Sequence, residues 1–72
     1  MSREDILKEI IAIVDPLDEI TEDTVIEDSD DLDSLALFNI VLYMKKNGFK
    51  GSLTSLSSCK TVSDIIDLVE KA

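Results

Sequence analysis

Asp31-Leu32-Asp33-Ser34-Leu35-Ala36-Leu37-Phe38-Asn39-Ile40-Val41-Leu42-Tyr43-Met44 is the stretch whose reading decides the fold. An acidic run stops at Ser34, and from Leu35 to Met44 only Asn39 interrupts an apolar segment. Ten apolar-rich residues without Gly or Pro form a helix more readily than a strand of this length. Ser34, with Asp33 before it and Leu35 after it, falls at the N-terminus of that helix. There the first backbone N–H groups lack partners and the dipole favours an anion. The serine hydroxyl is therefore suited either to cap the helix or to carry a phosphate.

The helix is expected from Ser34 to about Lys46. Lys45, Lys46, Asn47 and Gly48 make a standard exit, with cations near the last carbonyls and then a residue free to turn left-handed. Leu35, Phe38, Val41 and Leu42 form one apolar stripe, and Leu37, Ile40 and Met44 form another. A small domain cannot bury a helix on every side, so part of this surface stays exposed and invites a partner. The candidate docking face is Leu35, Ala36, Leu37, Asn39, Leu42 and Tyr43.

Outward from this helix the chain reads as short helices. Ser2-Arg3-Glu4-Asp5 resembles a capping box, and Ile6, Leu7, Ile10, Ile11, Ile13 and Val14 recur at helical spacing. Pro16 ends that helix, because the residue before a proline disfavours helical backbone. Residues 15–33 form a long connection with little secondary-structure signal, although Leu17, Ile20, Val25, Ile26 and Leu32 give it apolar anchors. Leu53 to Cys59 holds one short helical turn. Thr61-Val62-Ser63-Asp64 opens a last amphipathic helix that runs to about Lys71. The expected fold is all-α: a single domain, 1–72, built as an up-and-down bundle of three main helices and one short one. Its expected core comprises Ile6, Ile10, Val14, Phe38, Val41, Phe49, Leu56, Val62, Ile65 and Val69.

Composition narrows the function. The chain has 72 residues, no His and a single cysteine, Cys59. No internal disulfide can form, a zinc site has no ligand set, and the commonest general base is missing. Asp28-Ser29-Asp30-Asp31-Leu32-Asp33 is not a calcium loop, since Asp33 replaces the required Gly and Asn39 stands where the closing Glu belongs. No metal site is expected, nor a self-contained catalytic site. The formal net charge of −9 opposes binding to nucleic acid. No apolar run is long enough to span a bilayer, so a cytoplasmic monomer is the default expectation. The charge is also polarised. Ten acidic residues and no Lys or Arg lie between Asp15 and Asp33, whereas Ser34 to Ser63 has four lysines and no acid. Ser34 stands at the seam, where an acidic apron can steer basic partner enzymes towards it.

Taken together, these features resemble an acyl carrier protein. The order is a long first helix, an acidic loop, Asp33-Ser34-Leu35 opening an apolar helix, a short third element and a closing Thr61-Val62-x-Asp64-Ile65-Ile66 helix. The resemblance covers nearly the whole chain, and Asp33-Ser34-Leu35 is its most specific part. It implies a four-helix bundle in which Ser34 receives 4′-phosphopantetheine from coenzyme A. It further implies that Asp33 helps the modifying synthase engage with its magnesium, and that Leu35 contacts partner enzymes. The expected partners are a phosphopantetheinyl transferase and the enzymes that load and transfer acyl or aminoacyl groups as thioesters.

Two departures bear on the role. The family often has Gly three residues before the serine, where this chain has Asp31. Carriers of bacterial fatty-acid synthesis usually have acidic residues along the second helix, where this chain has Ala36, Leu37, Asn39 and Tyr43 and then two lysines. A stand-alone carrier of a specialised pathway is therefore expected in place of a housekeeping one. The rival reading is a non-carrier helical adaptor that docks another helix on the same face. A regulatory domain phosphorylated on Ser34 or Ser29 is a third reading.

Overall fold

Each helix starts where a short polar side chain can satisfy its first N–H groups. Ser2 Oγ accepts from the Asp5 N–H at 3.1 Å, and α1 runs over Arg3–Val14. It ends at Asp15, whose backbone turns left-handed (φ 50°, ψ 58°) and donates its N–H to the Ile11 carbonyl at 2.8 Å. Aspartate is among the residues that tolerate this region, and Pro16 then prevents any continuation. The computed structural model describes residues 2–49 and 51–71; Met1, Ala72 and Lys50, one of the four lysines after the seam, lie outside them.

The second helix, α2, spans Ser34–Lys46. It leaves through Asn47 and Gly48, the latter at φ 78°, and the Phe49 N–H returns to the Met44 carbonyl at 2.8 Å. That left-handed step is the one position in this exit that favours glycine. The short α3, Leu53–Ser57, is capped by Ser52 Oγ, which accepts from the Ser55 N–H at 3.1 Å. At α4, Val62–Lys71, the capping box is reciprocal. Thr61 Oγ1 accepts from the Asp64 N–H at 3.4 Å, while Asp64 Oδ2 accepts from the N–H groups of Lys60 and Thr61 at 2.9 and 3.2 Å.

The bundle is all-α, as expected, with α1 packed on α2 and α4, and α2 on α3. Ile6 and Ile10 from α1, Ile40, Val41 and Met44 from α2, Leu56 from α3, and Val62, Ile65, Ile66 and Val69 from α4 fill its interior. Among the described residues no helix is long and apolar enough to cross a membrane.

The connection between α1 and α2 is more ordered than its sequence suggests. Ile20, Ile26 and Leu32 are buried in the common core. Residues Ile26–Asp28 make a single 3-10 turn, and Val25 forms an isolated antiparallel bridge with Thr61. Backbone bonds from Ile26 to Lys60, Val62 to Thr24 and Ser63 to Glu22 fasten the loop along the start of α4. Arg3 completes this fastening. Its guanidinium pairs with Glu22 at 2.7 Å, with Asp67 at 2.5 Å and with Glu70, and it donates to Ser63 Oγ at 2.8 Å. The hydrogen bonds to Asp67, Glu22 and Glu70 raise an already high pKa further.

Three core assignments need correction. Phe38, expected inside, is 46% exposed. Val14 and Phe49 pack only partly buried against the core edge. Conversely, Leu37, Ile40 and Met44 are buried. Both stripes of α2 are apolar, so periodicity alone does not select the inward one, and tertiary packing decides.

The Asp64 cap carries a pH dependence. Its hydrogen bonds, first to the Lys60 and then to the Thr61 N–H, hold the carboxyl below the usual aspartate range. The folded state thus prefers the ionised form. That stabilisation is present above the ordinary carboxylate pKa and is lost as pH falls through the lowered folded value. Asp64→Asn should flatten the acid side of a plot of urea midpoint against pH. An unchanged acid limb would show that the cap does not report the titration.

Candidate functional site

The start of α2 is built by a division of labour between neighbours. Asp33, with extended backbone, is the N-cap, and its Oδ1 accepts from the Ala36 N–H at 2.9 Å. The Leu37 N–H donates to the Asp33 carbonyl at 3.0 Å and closes the first turn. Ser34 is therefore the first helical residue and not the cap, contrary to one of the two roles open to it from sequence. Its side chain is exposed, and its hydroxyl makes no hydrogen bond among the described residues. The hydroxyl thus sits in solvent at the positive end of a 13-residue helix.

Behind this start lies a groove of about 230 Å³ between the end of α1 and the first turns of α2. Ile13, Val14 and Ala36 contribute apolar lining, and Asp30, Asp31 and Asp33 line it as well. Asp31 also has a structural task that its sequence position did not announce. Its two carboxylate oxygens accept from the Leu17 and Asp18 N–H groups at 3.1 and 3.2 Å, so it staples the first residues of the loop to the last. Asp31 is thus the loop's clasp.

Along α2, successive residues rotate by about 100°, so Ala36, Leu37, Ile40, Val41 and Met44 fall within about 140° of arc. All five are buried. Ala36 and Leu37, expected on the docking face, are 7% and 9% exposed and belong to the core. Tyr43 is half-buried at the margin, with its ring 6.3 Å from that of Phe49. The outward face instead carries Leu35, Phe38, Asn39 and Leu42, with Leu35 67%, Phe38 46% and Leu42 49% exposed. Phe38, absent from the face expected from sequence, is one of its exposed apolar residues. Lys45 and Lys46 mark the solvent side, and Phe38 lies seven residues, two helical turns, before Lys45. That register was the available signal.

Cys59 is half-buried, and its Sγ donates to the Ser55 carbonyl at 3.5 Å. Burial first, then the charges of Asp64 and Asp67, push its thiol pKa up. It is protonated at neutral pH and a poor nucleophile. Among the described residues no cluster of His, Cys, Asp or Glu is arranged to hold a metal ion. Comparison with protein-family models, with curated proteins and with solved structures finds no match for this chain.

Proposed function

We propose that this chain is a stand-alone acyl or aminoacyl carrier, with Ser34 as the attachment point for a 4′-phosphopantetheine arm. The observation that carries the reading is the exposed, uncommitted Ser34 hydroxyl at the first turn of α2, left free because Asp33 takes the cap. These residues fit the group. An attached phosphodiester would lie beside the N–H groups of Ser34 and Leu35, which have no protein acceptor among the described residues. When attached, the arm supplies a thiol on which acyl groups are held as thioesters and carried between enzymes.

The chain's own residues position and present that serine. Asp33 fixes the helix start, and Asp31 holds the loop that leads into it. The carboxylates around Ser34 oppose an anion and favour a cationic surface, so their part is to attract a basic transferase or loading enzyme. In this reading Asp33 also meets the transferase and its magnesium. Leu35, Phe38 and Leu42 then supply the apolar contact, flanked by Asn39 and Tyr43. The protein performs no catalysis of its own, and its working form is the cytoplasmic monomer. The absence of any carboxylate from Ser34 to Lys46 supports a specialised pathway over housekeeping fatty-acid synthesis.

The exposed Leu35, Phe38 and Leu42 equally favour an adaptor that docks another helix without any modification. Chain purified from its native host separates the readings. A carrier yields a Ser34 peptide bearing phosphopantetheine, with cargo released by hydroxylamine. A bare Ser34, or a plain phosphate on Ser34 or Ser29, would contradict the carrier reading.

A further inference from the structure

We propose that two copies of this chain pair reversibly through α2, antiparallel about a two-fold axis, covering Leu35, Phe38 and Leu42 of both. The proposal rests on the charge pattern around the exposed strip and not on the carrier reading. At one end of the strip, Asp30, Asp31 and Asp33 line the same groove as Leu35 and Asn39. At the other end stand exposed Lys45 and Lys46, and α2 has no acidic residue between. Leu35 to Lys46 spans about 16 Å at 1.5 Å per residue.

An axis passing between Phe38 and Asn39 makes this surface complementary to itself. Leu35 of one copy then faces Leu42 of the other, and the two Phe38 rings meet near the axis. Lys45 and Lys46 of each copy reach the aspartates before Ser34 of its partner copy. A parallel arrangement would set like charges together at both ends, so the antiparallel one is selected. An isologous contact of this kind closes on itself and stops at two copies.

Three partly exposed apolar side chains per copy fall short of the roughly 1,200–2,000 Å² of a standard stable interface. The pair is therefore weak and fills at high concentration, leaving the monomer available to other partners. Because the paired face adjoins Ser34, pairing shields the start of α2 until a better-fitting partner displaces the second copy.

Sedimentation equilibrium of the chain over a concentration series tests this. The average mass should climb towards that of two copies at the highest concentrations. Leu42→Asp should lower the association constant by about tenfold or more. Ser34→Ala should leave it unchanged, so this result stands or falls apart from the carrier reading. Lys46→Glu and Asp30→Lys should each weaken self-pairing, while an equimolar mixture of the two variants should pair more strongly than either alone. A single mass at every concentration would overturn the proposal. So would association indifferent to Leu42→Asp, or a mixture no stronger than its components.

Discussion

Ile40→Ala should remove about 2–5 kcal/mol of folding stability, because it empties a fully enclosed site in the bundle. Ile40 is 0% exposed, and Met44, Ile65 and Ile66 are enclosed to the same degree. A 72-residue domain at about 0.05–0.15 kcal/mol per residue has roughly 4–11 kcal/mol in all. The substitution thus takes a large share of it. Phe38→Ala should cost far less, since that ring is 46% exposed and already meets water. Urea unfolding followed by circular dichroism compares the two directly. Equal losses, or a greater loss for Phe38→Ala, would mean that α2 presents its other stripe to the core.

The second large effect concerns docking. Full burial of a leucine is worth roughly 1.5–3 kcal/mol, whereas an exposed charge pair gives about 0–1 kcal/mol. On the carrier reading, Leu35→Asp or Leu42→Asp should therefore weaken binding to a phosphopantetheinyl transferase by about tenfold or more, and Asp30→Asn only slightly. Leu37→Asp is not a docking test. Leu37 is 9% exposed, so that change attacks the fold. Raising salt to physiological strength should slow association modestly, because it screens the acidic loop beyond about 8–10 Å and leaves the apolar strip intact. Affinity that collapses with salt while both leucine variants bind normally would make the acidic loop the principal interface.

Much of the fold was legible because local chemistry is unusually explicit here. Ser2 and Thr61 cap their helices, Pro16 stops the first, and Gly48 ends the second, whereas the Ser52 cap of α3 emerged only from the structure. What apolar periodicity alone could not supply was the rotation of α2, whose surface is apolar nearly all round from Leu35 to Met44. The lysines at 45 and 46 held that information, and using them would have placed Phe38 outside and Leu37 inside. The long connection was also under-read. Its order comes from Arg3, Asp31 and the backbone of residues 60–63, partners far away in sequence that no local pattern announces. At the site, Ser34 stood out by its place at the charge seam. The exchange of roles by which Asp33 caps and Ser34 stays free needed coordinates, since either residue can serve as a cap.

The carrier reading meets its most direct test in the intact mass of the chain after incubation with coenzyme A and several phosphopantetheinyl transferases. Wild-type protein should gain the mass of one phosphopantetheine. Ser34→Ala should gain nothing while unfolding almost like the parent, because Asp33 and not Ser34 holds the helix cap. A wild-type chain that stays unmodified with every transferase, or a Ser34→Ala chain that is still modified, would contradict it.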